Sequence, residues 1–154
     1  MPSALKGLKV LDFSTLLPGP FASMYLADMG AEVIHVESPT RPDLVRIMPP
    51  YANGQATAQS ELNRNKQSIA LDLKEPNNIE LIKNKISEFD IVLEQFRPDV
   101  MRRLGLDYET LAEINPRLIY CSITGYGQTG SYKDRAGHDI NYLALAGISG
   151  HSGR

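Results

Sequence analysis

One cysteine, no tryptophan and no excess of either charge sign constrain this chain before any motif is read. Cys121 alone cannot close an internal disulfide or build a cysteine zinc site, which fits a reducing compartment, and no metal site is expected. Sixteen Lys and Arg against eighteen Asp and Glu leave a net charge of −2. The basic excess of a nucleic-acid binder is therefore missing, and so is an acidic tail. No apolar run nears the ~18 residues that a membrane-spanning helix needs. Met1 to Gly7 also lacks the basic-then-apolar plan of a signal peptide. What is present is 154 residues, 42% of them hydrophobic, enough for one domain with a sizeable core.

The apolar pattern alternates between strand and helix periods. Leu8 to Phe13 reads as a strand closed by Pro18-Gly19-Pro20, where proline can start a helix. Phe21, Ala22, Tyr25, Leu26 and Met29 recur at helical spacing up to Gly30, and Ala31 to Glu37 is a second strand. That is a βαβ unit with parallel strands. Residues 38–66, proline-rich from Pro39 to Pro50 and carrying Asn53-Gly54, read as a long irregular stretch of the kind that serves function or lies against a partner. Gln67 to Leu73 is strand-like again, Ile79, Ile82, Ile86 and Phe89 mark a helix after Pro76, and Asp90 to Leu93 is a buried type of strand. Arg102 to Ile114 holds short helices broken at Gly105, and Arg117 to Thr124 is a last strand that should bury Cys121. A glycine-rich loop, Gly125 to Gly137, leads into a buried-looking helix over His138 to Gly147 and a loop-like end, Gly150 to Arg154. The alternation predicts an α/β fold, a mostly parallel doubly wound sheet flanked by helices.

Several residues carry possible chemistry. Gly125 to Gly130 spells G-x-G-x-x-G, but polar Ser131 to Arg135 follows where an apolar helix should, so a flexible loop is the better reading than a dinucleotide site. Glu37 occupies the position of a ribose-binding acid, yet the preceding turn, Thr15 to Pro20, lacks the glycine fingerprint. His138 begins the last helix, where the helix N-terminus disfavours imidazolium and keeps a neutral base available. Tyr142 lies one turn on, along the same face. His35 and His151 read as structural or solvated. Arg64, Lys66, Lys74, Arg97, Arg102 and Arg103 fall at loops or element ends, and would suit a polyphosphate only if the fold made them converge.

Five blocks taken in order resemble the family III CoA-transferases. They are Leu8 to Phe13 with Pro18-Gly19-Pro20, Leu26 to Ile34, Asn63 to Lys74, Glu94 to Pro98 with Leu104-Gly105, and Asn115 to Tyr120. A further segment, Ala136-Gly137-His138-Asp139-Ile140-Asn141-Tyr142, resembles the α-methylacyl-CoA racemase branch, whereas the transferase branch usually lacks this histidine. The resemblance implies a Rossmann-like domain over residues 1–154 that binds a CoA thioester, with CoA as part of the substrate and no prosthetic group. Leu71, Asp72, Leu73, Lys74, Gln95, Phe96, Arg97 and Arg103 would line the CoA site. Gly137, Ile140, Asn141 and Tyr142 would surround the thioester beside His138 and Asp139. Racemases often carry an arginine just after the second strand, where this chain has Ser38, with Arg41 as its nearest substitute.

Racemisation next to a thioester removes an α-proton and returns one to the opposite face through an enolate, so two acid/base groups must flank the carbon. His138 would be one, with Asp139 orienting it by a hydrogen bond. The second, an aspartate in a Gly-Asp-Phe/Ser-like motif, is absent from these residues. Members of the family are more than twice this length and form interlocked homodimers, so the chain is expected to be an N-terminal piece, inactive alone and leaving apolar surface exposed. The same resemblance implies lipid metabolism in the cytoplasm, or in an organelle such as the mitochondrion or peroxisome of a eukaryotic cell. The alternatives are a CoA-transferase acting through an aspartyl acyl intermediate, a non-catalytic CoA-binding or assembly subunit, and, more distantly, a dinucleotide-binding module.

Overall fold

The computed structural model of the protein describes residues 3–151. Lys9–Asp12 (β1) and Glu32–Glu37 (β2) pair in parallel across Pro18–Asp28 (α1), the βαβ unit that the spacing predicts. Pro18 sits in the first helical turn, where its missing N–H costs no hydrogen bond. Gln67–Ala70 (β5) adds outside β2, while Ile91–Glu94 (β6) and Ile119–Ser122 (β7) add on the other side of β1. The order β5-β2-β1-β6-β7, parallel at every step, confirms the α/β expectation. The connections change direction between β1 and β6, which opens a crevice at the carboxyl ends of those two strands.

Side chains of a strand alternate between faces, and the core follows that alternation. Leu11, Val36 and Val92 pack with Ile82 and Ile86 of Pro76–Lys85 (α3) and its 3₁₀ extension, Met101 of Val100–Leu104 (α4) and Leu111 of Tyr108–Ile114 (α5). On the opposite face Val10 and Val33 meet Ala27 and Ala31, the end of α1 and the turn after it. Within the main cluster Ile86, Leu106 and Leu111 are fully buried.

Three expectations need correction. The stretch 38–66 is not irregular throughout. Tyr51–Ala52 (β3) and Gln55–Ala56 (β4) form a hairpin whose Asn53-Gly54 turn has positive φ at both residues, and Thr57–Leu62 (α2) follows. The Asn-Gly pair is the usual sequence for such a turn because both residues tolerate that conformation. Cys121 is exposed, because β7 is an edge strand with one face uncovered, and Ile119 beside it is 61% exposed. The last helix, Asp139–Leu145 (α6), buries no residue, with Ile140 at 73% and Leu145 at 62% exposure. Its apolar pattern matches a core helix, but no described element covers it. Apolar surface is thus exposed at this end, as expected. No helix is long and apolar enough to cross a membrane among the described residues. Ser152 to Arg154, read as part of a loop-like end, lie outside those residues.

Candidate functional site

The loop from β1 into α1 is fixed from two sides. The Gln95 amide, just past β6, accepts from Gly19 N at 2.9 Å and donates to the Thr15 carbonyl at 2.7 Å. Asp43 accepts from Leu16 N at 2.8 Å and from Val45 N at 3.1 Å. Leu16 has a φ of 62°, a left-handed conformation that costs a non-glycine residue about 1–2 kcal/mol. These two side chains hold the loop against that strain. Gln95, expected at the CoA site, therefore spends its amide on the loop.

A cavity of about 430 Å³ opens beside this loop at the ends of β1, β2 and β5. Leu71, Asp72, Leu73, Lys74 and Phe96, all expected to line a CoA site, line it together, with Ser38 and Arg41 on the same wall. The Asp72 carboxylate accepts from Lys74 N at 3.0 Å, a local turn that shapes the rim. Glu37 also faces this cavity. Arg46 donates to both of its oxygens and Ser68 Oγ to one, at 2.6 Å, and the Arg46 guanidinium holds the carboxyl below the usual range. Arg103 is exposed and lines neither this cavity nor the next.

Arg97 belongs to a second cavity of about 360 Å³ on the far side of β6, with Arg102, Tyr108, Tyr120 and Glu94. Glu94 is almost fully buried and accepts from Phe96 N at 2.7 Å, and burial pushes its carboxyl up. Burial, with Glu94 nearby, also pushes the Tyr120 phenol up. The cations named from sequence therefore do not converge. Lys74 serves one cavity and Arg97 and Arg102 the other, while Arg64 pairs with Asp28 and Glu61.

Lys66 goes somewhere the sequence did not suggest. Its ammonium is buried under the β1–α1 loop, 3.6 Å from Asp12 and donating to the Pro20 carbonyl at 2.9 Å. The fully buried Asp12 carboxylate accepts from the Ser14 N–H and hydroxyl and from the Ser23 hydroxyl. His35 Nδ1 lies 3.5 Å away without a hydrogen bond, and that buried nitrogen has no partner. Burial alone would raise the Asp12 carboxyl, but His35 beside it and the two hydroxyls outweigh burial and hold it below its ordinary value. Burial pushes the Lys66 ammonium down, against the pull of Asp12. His35, read from its strand position as structural or solvated, is buried beside this network and also lines the 430 Å³ cavity. The Asp12, Ser14 and Ser23 partners carried no sequence signal beyond a polar residue ending an apolar strand.

His138 lies elsewhere, after the loop that follows β7. Gly125 to Gly137 are irregular and no helix opens at Gly130, as the polar Ser131 to Arg135 predicts; α6 begins only at Asp139. The ring of His138 is exposed, and Gly137 to Tyr142 line neither cavity. Asn141 Oδ1 accepts from His138 N at 2.9 Å, and Tyr142 Oη donates to the Gly137 carbonyl at 2.9 Å. The orienting bond expected from Asp139 is not formed. Among the described residues the histidine close to a carboxylate is His35, 3.5 Å from Asp12.

A cavity at the switch of a parallel sheet and a separate accessible imidazole are shared by many proteins, and comparison with known proteins narrows the assignment. Residues 5–154 match the model of CoA-transferase family III. Human succinyl-CoA:glutarate CoA-transferase is 45% identical over 94% of this chain and 33% of its own length. Human alpha-methylacyl-CoA racemase is 43% identical over 98% of this chain and 36% of its own. A solved CAIB/BAIF family protein from Brucella suis superposes with a TM-score of 0.88 at 41% identity, covering 96% of this chain and 40% of the other. The chain spans about a third of the length of these curated relatives. With the family model matched from Leu5 onward and relatives of both activities above 40% identity, the chain belongs to CoA-transferase family III.

Proposed function

We propose that the chain contributes the CoA-binding half-site and one proton-transfer group to an enzyme that racemises or epimerises 2-methylacyl-CoA thioesters. The observation that carries this reading is the exposed His138 imidazole, its backbone held at Asn141 Oδ1. An imidazole open to an incoming thioester can remove a proton from the carbon beside the carbonyl, which an imidazole buried among aliphatic side chains could not. Leu71 to Lys74 and Phe96 around the 430 Å³ cavity would hold the CoA moiety, with Arg41 placed to meet a phosphate. Return of the proton to the opposite face requires a second group, and the chain alone would therefore not invert its substrate. The reading assigns that second group, like the homodimer the resemblance implies, to the whole protein, of whose curated relatives this chain spans about a third. The test is a single (2R)-2-methylacyl-CoA titration followed by NMR in D₂O. The reading expects the thioester to bind, the His138 ring signals to move, and no enzyme-like inversion at C2. Binding that leaves the His138 signals unmoved would overturn it.

CoA transfer between carboxylic acids is the second reading, favoured by the 45% identity to succinyl-CoA:glutarate CoA-transferase. It predicts thioester exchange that depends on an added acid acceptor and survives His138→Ala.

A further inference from the structure

We propose that Tyr142 is a positioning residue for His138, acting through the backbone before the imidazole and not by touching ligand. The inference rests on the racemase reading for its purpose but on packing for its substance. No residue of α6 is fully buried, with Tyr142 and Leu143 half-buried, so contacts within the loop do much to locate His138. The Tyr142 ring lies against Gly125 and Gly137, each of which has no side chain in its way. A Cβ at Gly137 would stand 2.6 Å from Tyr126 Oη and 2.7 Å from Tyr142 Cε1, and a Cβ at Gly125 would overlap the Tyr142 ring. Tyr126 meets Tyr142 edge-on at 5.3 Å between centroids, and Tyr132 meets Tyr126 at 5.9 Å. The Tyr142 hydroxyl closes the arrangement on the Gly137 carbonyl. The Gly137–His138 peptide is thus held at both ends, its carbonyl by the Tyr142 hydroxyl and its N–H by Asn141 Oδ1, with the Tyr142 ring packed against Gly137.

Both glycines carry this argument because only a residue without Cβ admits a ring that close. Edge-on aromatic pairs then give the loop the order it lacks from burial. Asn141 and Tyr142, which the resemblance puts around the thioester, are both engaged with the backbone of Gly137 and His138.

The experiment follows the His138 amide and imidazole by NMR in the 154-residue chain, with ¹⁵N relaxation reporting nanosecond order. In Tyr142→Leu the order parameter at His138 should fall from about 0.85 to below about 0.6, with the imidazole signals moving toward those of an unstructured peptide. Tyr142→Phe keeps the ring and should restore most of that order. Gly137→Ala should loosen the loop as Tyr142→Leu does. The thermal midpoint of the domain should not move in any of the three. Unchanged His138 order in Tyr142→Leu would overturn the proposal. So would loss of thioester binding in Tyr142→Phe with His138 undisturbed, because that would make Tyr142 a ligand contact. The racemase reading fails separately, if thioester binding leaves the His138 ring signals of the parent chain unmoved while the tyrosine variants still free the loop.

Discussion

Every buried residue described lies at or before Leu118, whereas the stretch from Ile119 to His151 contains none. The first region buries a carboxylate, an ammonium and an imidazole beside the β1–α1 loop, and satisfies the carboxylate with hydroxyls and the ammonium with a carbonyl. The second is ordered by tyrosine edges, glycine notches and backbone bonds near the surface. The CoA-site expectation falls in the first region and the proton-transfer expectation in the second. The difference teaches that burial secures the region expected to hold ligand, while the region expected to carry the proton-transfer group depends on a few local contacts.

The most severe way to break this contrast is Asp12→Ala, which leaves Lys66 buried without its countercharge. It should cost about 3–5 kcal/mol in urea unfolding while leaving the Tyr126–Tyr142 cluster intact in any folded fraction. Ile86→Ala opens a cavity at a fully buried site and should cost about 2–5 kcal/mol. The pH dependence comes next. The Asp12 carboxyl is depressed in the folded state, so its stabilising contribution is complete above its ordinary value of 3.8 and is lost as pH falls through the lower folded value. Glu94 has the opposite sign. Its raised carboxyl favours the fold below 4.5 and that contribution is lost as pH rises through the folded value, so Glu94→Gln should stabilise the protein near neutral pH. Acid titrations of unfolding in the two variants separate these contributions. The smallest effect belongs to the second region, where Ile140→Ala and Cys121→Ser should each stay within about 0.5 kcal/mol. Cys121 should also react with a thiol reagent in the folded protein. Slow labelling there would show that a face of β7 is covered after all.

The mostly parallel α/β sheet was legible because parallel strands announce themselves as short apolar runs between helices, as at Leu11 and Val92, and Ile82 and Ile86 recur at helical spacing. Asn53-Gly54 carried a hairpin signal that the surrounding prolines masked, and Thr57–Leu62 was too short and polar to show a helical period. Cys121 and α6 misled for the opposite reason. Their apolar pattern is genuine, yet burial depends on a covering element, and none among the described residues supplies one. Leu71 to Lys74 and Phe96 share one cavity because parallel strands end on the same edge of a doubly wound sheet. Lys66 could not be placed from sequence, since nothing local distinguishes a lysine that turns inward from one that points to water.

The fate of Glu37 bears on nucleotide choice. A carboxylate offers about four acceptor positions, and Arg46 and Ser68 already fill three of Glu37's. A sugar diol that needs two acceptors from the same acid would find one vacant. Those lone pairs are engaged without any steric barrier, and removing the Arg46 guanidinium would free two of them.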